Sequence, residues 1–307
     1  MNPKNILPIV ICCFLLFLLA IGAAEENQNP QADDLKIISY NVLYGFNHGK
    51  NIHDGANWIK EQNPDVVALE ELNGFTQHKL ESVAKNWGHN YAQILKEDGF
   101  PVGLTSKEPI ETIEKRLHDM HHGYLHCKTA GLNFFVIHLS PFDLARRRIE
   151  AGIICAKAKA LIEREEPVIV LGDFNAFSPY DQKQLSNKKE FLQRMIAQEQ
   201  KDEKRRNLDN GKMDFSVLQT FFDAGLIDTY VKTLDDAQDT TASFPSMLVS
   251  KSPEEQNKFS RRLDFILLNK KMAQWILKAG VCRDSVLNKI SDHYPVMVVL
   301  RRNWHKP

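Results

Sequence analysis

The chain of 307 residues has no net charge: 39 lysines and arginines stand against 39 aspartates and glutamates. No global basic field therefore draws it onto nucleic acid, although a local patch is enough for that. Cysteine is scarce, five in all, and Cys12 and Cys13 lie inside the one long apolar run. The other three, Cys127, Cys155 and Cys282, are odd in number, so at least one stays free or pairs between chains. A chain of this size needs no disulfide framework, and these thiols supply no soft metal site. There is no internal repeat and no Gly/Ser linker. A long aromatic hairpin or an amphipathic membrane element is also missing, so nothing marks a lipid head group as the substrate.

The apolar run itself spans residues 6–20, follows Lys4, and gives way to Gly22-Ala23-Ala24 and then Glu25-Glu26-Asn27. This reads as a secretory signal peptide over residues 1–24, a linker over 25–34 and one domain over 35–302. Pro8 and the small-residue exit favour cleavage; the alternative is an uncleaved anchor, because the run approaches bilayer length. The expected location is secreted or periplasmic, or membrane-anchored where the segment is kept. Loss of Lys4 with the segment leaves 38 basic against 39 acidic residues.

What is present is a set of short apolar runs with polar groups at their ends. Val168-Ile-Val-Leu171 stops at Gly172-Asp173-Phe174-Asn175, and Val296-Met-Val-Val-Leu300 starts directly after Ser291-Asp292-His293-Tyr294-Pro295. Runs that are apolar on consecutive residues read as strands buried on both faces, and their ends bring polar groups to the rim of a sheet. The pattern recurs. Leu35 to Tyr40 stops at Asn41, Asp65 to Leu69 at Glu70-Glu71, Phe134 to Ile137 at His138, and Arg262-Leu263-Asp264 opens Phe265 to Leu268.

In this order the motifs resemble those of the endonuclease/exonuclease/phosphatase superfamily, the metal-dependent phosphoesterases with a DNase I-like fold, from about Leu35 to Leu300. The resemblance implies a four-layer α/β sandwich: two packed mixed sheets flanked by helices. The residues alone give only alternating strands and helices, and motifs that spread from end to end and must converge in one domain. The resemblance also implies a hydrolase of phosphate esters. Such a reaction needs a cation, a positioned water and donors for the charge that builds on the phosphoryl oxygens. Carboxylate and amide oxygens suit a hard ion, Mg2+ or Mn2+.

By the same resemblance Glu71 is the principal metal ligand, Asn41 lies against the same ion, and Asp292 reaches it or its water shell. Imidazole titrates nearest neutrality, so His293 is the candidate for acid/base or charge-stabilising work, with Asp264 fixing its tautomer. Asp173 aligns or deprotonates the attacking water, Asn175 donates to a phosphoryl oxygen, and His138 is a second donor or an acid for the leaving oxygen. Two departures from the family pattern are visible. Glu70 stands where Gln is usual, and alternation along the strand turns it away from the metal; Ile137 stands where Thr often precedes the His-Leu pair.

Substrate choice is expected in the loops. Arg146-Arg147-Arg148 opens a helix through Ile149, Ile153 and Ile154 toward Ile162, either a solvated basic face or a phosphate contact, with Arg146 the candidate. His118, His121 and His122 are too poorly spaced for zinc, and His122 is read as substrate-side. Phe46, Phe100 and Phe142 offer an apolar wall. Residues 181–210 read as one or two surface helices, the loop through Phe244-Pro245 as part of the pocket, and Lys251 to Lys258 as mobile. The expected partner is a phosphate-ester substrate: nucleic acid, a sugar or inositol phosphate, or a phospholipid head group. No obligate protein partner is implied, and a monomer is expected. Without a dense basic cluster in the sequence, diester cleavage is preferred over monoester cleavage.

Overall fold

The computed structural model describes residues 34–234 and 241–302. The apolar segment that carries the signal-peptide reading lies outside them. In chain order the strands are β1 (Leu35–Asn41), β2 (Val66–Glu70), β3 (Tyr91–Ile94), β4 (Gly103–Ser106), β5 (Glu111–Arg116), β6 (Tyr124–Thr129), β7 (Leu132–His138), β8 (Val168–Asp173), β9 (Leu226–Asp228), β10 (Asp264–Asn269), β11 (Ile276–Val281) and β12 (Val296–Leu300). The helices are α1 (Ile52–Gln62), α2 (Gln77–Ala84), α3 (Leu144–Ile162), α4 (Gln182–Ser186), α5 (Lys189–Lys201), α6 (Ser216–Asp223), α7 (Thr229–Lys232) and α8 (Pro253–Phe259).

The strands form two sheets of six, ordered β11-β12-β1-β2-β4-β3 and β5-β6-β7-β8-β10-β9. Period-2 alternation sorts their side chains into layers. Leu35 and Ile37 of β1 face the second sheet, while Ile38 and Tyr40 face α1 and α2. Likewise Ile169 and Leu171 of β8 face the first sheet, while Val168 and Val170 face α3 and α6. The helices answer with Trp58, Ile59, Leu80 and Ala84 on one side and Ala151, Ile154, Val217 and Phe221 on the other. Each buried Leu, Ile, Val or Phe contributes roughly 1.5–3 kcal/mol, so three such layers hold the sandwich without a crosslink. Cys127, Cys155 and Cys282 are all free thiols.

This is the expected four-layer sandwich, with three local corrections. Phe46 is no wall: it is fully buried with α1 and Phe75, and its ring fills the space a side chain on Gly55 would need. Most of Lys251 to Lys258, read as mobile, is helical: Ser252 caps α8 through the Glu255 amide and Pro253 starts it, a helix-entry signal the charge-rich composition hid. Ile149 lies on the solvent face of α3, 54% exposed.

The registers explain why the motifs meet. β1 and β2 run parallel and end together at Asn41 and Glu70; β7 and β8 run parallel and end at His138 and Asp173. β10 runs antiparallel to β8, so its first residue, Asp264, lies opposite Asp173. Gly172 makes the close approach feasible. Its φ is +137°, and a Cβ there would lie 2.0 Å from the Ile137 carbonyl oxygen.

Candidate active site

Asp173 Oδ2 is the meeting point. The Asn41 amide donates to it at 3.1 Å, His138 Nε2 lies 3.6 Å away and His293 Nε2 lies 3.9 Å away. His293 Nδ1 donates to Asp264 Oδ2 at 2.8 Å, which fixes Nε2 toward Asp173. The Ser291 hydroxyl donates to the Asn41 carbonyl at 2.7 Å and accepts from the His293 amide, tying the loop before β12 to the end of β1. Asn175 sits at φ +47°; its amide N–H donates to Asp173 Oδ1 and its side chain donates to the Leu139 carbonyl.

Electrostatics separates the two histidines. Burial opposes a charge on His293, but Asp264, with Asp173 and Asp292, outweighs it and holds the imidazole's pKa well above the ordinary value. His138 is driven the other way, by burial first and then by the neighbouring His122 and His293, so it stays neutral. It can donate a hydrogen bond but has no spare proton at neutral pH. Burial, the Asp264 charge and the Glu71 charge raise Asp173 despite the pull of His293 and the Asn175 amide, which puts its carboxylate where a base for water needs to be.

Glu71 stands one residue beyond β2 at φ +58°. Its Oε1 accepts from the Asn41 amide at 3.2 Å and its Oε2 from the Tyr44 amide at 3.2 Å. That second donor belongs to an unusual left-handed turn, residues 43–49, in which every φ is positive. Such backbone costs on the order of 1–3 kcal/mol per non-glycine residue and clusters at functional sites. Gly45 anchors the turn: its N–H donates to the Glu71 carbonyl at 2.7 Å, and a Cβ there would lie 2.5 Å from the Asn73 carbonyl oxygen.

The residues fit a hard cation. Glu71 is raised by burial and by Asp292, partly offset by His293 and the Asn41 amide. Three acids thus crowd a buried space with only amides and one imidazolium to face them, and their carboxylate oxygens are hard donors. Asp173, Asp264 and His293 bring ligand atoms within 4.8 Å of one another, but His293 Nδ1 is already bonded to Asp264, so this trio suits proton handling better than metal ligation. Glu70 lies in the layer between the sheets, accepting from the Ser39 hydroxyl at 3.0 Å, and burial followed by Asp264 raises its pKa strongly. Its Oε2 and Asp264 Oδ1 are buried without a hydrogen-bond partner.

Among the expected substrate residues, His122 is brought in and Arg146 is not. His122 stacks on His138 at 4.3 Å between ring centres, and Phe100 and Tyr44 continue the aromatic rim. Arg146 points along the exposed face of α3, and Arg148 pairs with Asp209 and Asp214; it is Arg147 that turns inward, donating to the Ser140 carbonyl and to Asn207. His118 is exposed against Asp119. Phe142 is a half-exposed rim residue under Arg205.

Sequence reasoning missed the other wall. A cavity of about 420 Å³ opens beside Asn175, Asp292 and His293, and its far side is built by α5 and α8. Phe244 packs against His293 at 4.7 Å, and Arg194, Arg205 and Arg261 line the same space. Arg194 and Arg261 are far apart in the sequence, and only the Phe191, Met195 and Phe259 stripe of the two helices hints that they share a surface.

A model of the Endonuclease/Exonuclease/phosphatase family matches residues 38–293. Comparison with curated proteins gave no match. Among solved structures, the chain is similar to an AP endonuclease from Archaeoglobus fulgidus (17% identity, TM-score 0.63) and to a 3′ phosphatase from Neisseria bound to a product DNA hairpin (17%, 0.63). A 3′-5′ exonuclease from Neisseria meningitidis is similar to the same degree (16%, 0.61). Each covers 87% of this chain and 99% of its own.

Proposed function

The chain belongs to the endonuclease/exonuclease/phosphatase family, hydrolases of phosphate esters, and on that premise we propose that it is a secreted Mg2+- or Mn2+-dependent phosphoesterase using the residues gathered around Asp173. Glu71 and Asn41 would hold the ion, with Asp292 at its water shell, and the ion would supply positive charge that lessens the repulsion between hydroxide and an anionic phosphate ester. Asp173 takes the proton of the attacking water. His293, kept protonated by Asp264, donates from Nε2 to the phosphoryl oxygen on which charge builds, and neutral His138 and the Asn175 side chain add donors.

The convergence of Asn41, His138 and His293 on one oxygen of Asp173 carries this reading. No serine or cysteine nucleophile lies among them, so direct attack by water is the route. A nuclease-like diesterase was favoured because extracellular polymers and lipids are diesters and because no basic cluster was in sight. The arginine-lined cavity beside His293 removes the second ground and favours the alternative, a phosphatase for small organic phosphates.

The test is Mg2+-dependent hydrolysis of DNA, RNA, phospholipid and sugar or inositol phosphates, with His293→Ala as the blank. Turnover of one class that disappears in the blank supports the proposal. Metal binding by folded protein with no turnover on any of them points to a catalytically silent binding protein on the same fold.

A further inference from the structure

Arg261 is the singular residue of the cavity. Its guanidinium is sandwiched between the rings of Phe191 and Phe244, at 4.5–4.6 Å from each ring centre, and only one donor is spent, on the Phe259 carbonyl at 2.8 Å. Arg194, on α5, lies over Phe259 at 4.6 Å. Neither forms an ion pair with any described residue, whereas Arg205 pairs with Asp202 and Arg262 lies between Asp181 and Asp228; Arg147, also without an ion pair, spends donors on the Ser140 carbonyl and Asn207. Burial, then Arg194, lowers Arg261 to about 9, which still leaves it charged at neutral pH. The acids on this wall are otherwise engaged: Asp214 holds Arg148, and Glu255 accepts the Lys251 amide.

Two neighbouring cations with free donors and aromatic support, in a confined space, form a receptor for an oxyanion, and a planar guanidinium fits two phosphate oxygens at once. The same cavity is lined by Asn175, Asp292 and His293, so an anion held there belongs to a molecule whose scissile phosphate is already at Asp173. The volume admits a compact scaffold, and α5 and α8 form the far wall of the space. We propose that Arg261 and Arg194 bind a second phosphate of the substrate, so that the enzyme acts on small organic molecules carrying two phosphates. This deepens the phosphatase reading above and rests on it.

Calorimetric titration with glucose 1,6-bisphosphate and glucose 1-phosphate, in EDTA so that no metal contributes, reads the cavity without turnover. The wild-type protein is expected to bind the bisphosphate at least tenfold more tightly, and Arg261→Met with Arg194→Met to lose that difference, while Arg261→Lys restores part of it. Arg194→Met alone, on an exposed helix face, gives the answer if Arg261 variants unfold. Equal binding of the two sugars by the wild type, or a preference that survives both substitutions, overturns the proposal. A single-stranded oligonucleotide competing as strongly as the bisphosphate overturns it too, assigning the arginines to a polymer's neighbouring phosphate. Failure of catalysis is seen separately: hydrolysis of p-nitrophenyl phosphate that His293→Ala does not reduce sinks the proposed function and leaves the calorimetric result standing.

Discussion

The two edges of the sandwich treat buried polar groups in opposite ways. At the edge where β2 and β8 begin, they are satisfied: His89 is bonded through both ring nitrogens, to the Thr105 hydroxyl at 2.8 Å and the Pro64 carbonyl at 2.9 Å. Asn269 there accepts the Val168 amide, and Asn133 donates to Glu166 and the Pro167 carbonyl. At the edge where β2 and β8 end, Glu70, His122, His138 and Asp264 each keep a buried polar atom without a hydrogen-bond partner. An unmet buried group costs about 1–3 kcal/mol, so a fold tolerates a cluster of them only where something else completes it. One edge has its buried polar groups met, and the other keeps unmet groups that the proposed ion and substrate would meet.

Substitutions can break this contrast, beginning with the strongest. His293→Ala and Asp264→Asn are expected to lower kcat/KM by roughly 10³–10⁴, because each removes the oriented imidazolium, with the thermal midpoint little changed. A large loss of stability alongside activity would mean that this edge is also structural.

At the opposite edge the effect falls on folding. Burial lowers the pKa of His89 to about 4, against a weaker upward pull from the Pro64 carbonyl. The unfolded chain then binds the extra proton between pH 6.5 and 4 and the folded chain does not, so stability declines as pH falls through that window. The expected loss is about 3 kcal/mol. Denaturant titration at pH 7 and pH 4.5 checks it, and His89→Gln should lessen the acid slope. Asn269→Ala strands the Val168 N–H and should cost about 1–3 kcal/mol without touching turnover. The mildest expectation concerns Glu70. Its pKa is raised on folding, so the wild type loses stability as pH rises above the unfolded carboxylate value. Glu70→Gln should abolish that loss, giving a thermal midpoint that exceeds the wild type's more at pH 8 than at pH 5.

The contrast also marks what could be read in advance. The strand-end residues were legible because apolar runs announce the strands and their registers leave the next polar residue no other place, as with Asn41, Asp173 and Asp264. Glu71 was assigned by motif alone; nothing in the sequence announces the left-handed turn whose amide holds it. Glu70 leaves the Glu71 side and enters the layer between the sheets, bonded to Ser39, where burial and then the Asp264 charge raise its pKa. The arginine wall was not legible, since Arg194 and Arg261 come from separate segments whose packing depends on α5 meeting α8, and a run of three arginines drew attention to Arg146 when the inward one is Arg147.

The most direct test of the proposed metal-dependent centre is turnover of p-nitrophenyl phosphate against Mg2+ concentration, for wild type and Glu71→Gln. A metal-dependent site requires that wild-type activity vanish in EDTA, return with Mg2+, and need a much higher Mg2+ concentration once Glu71 is neutralised. Equal activity in EDTA, or identical Mg2+ curves for the two proteins, would contradict it.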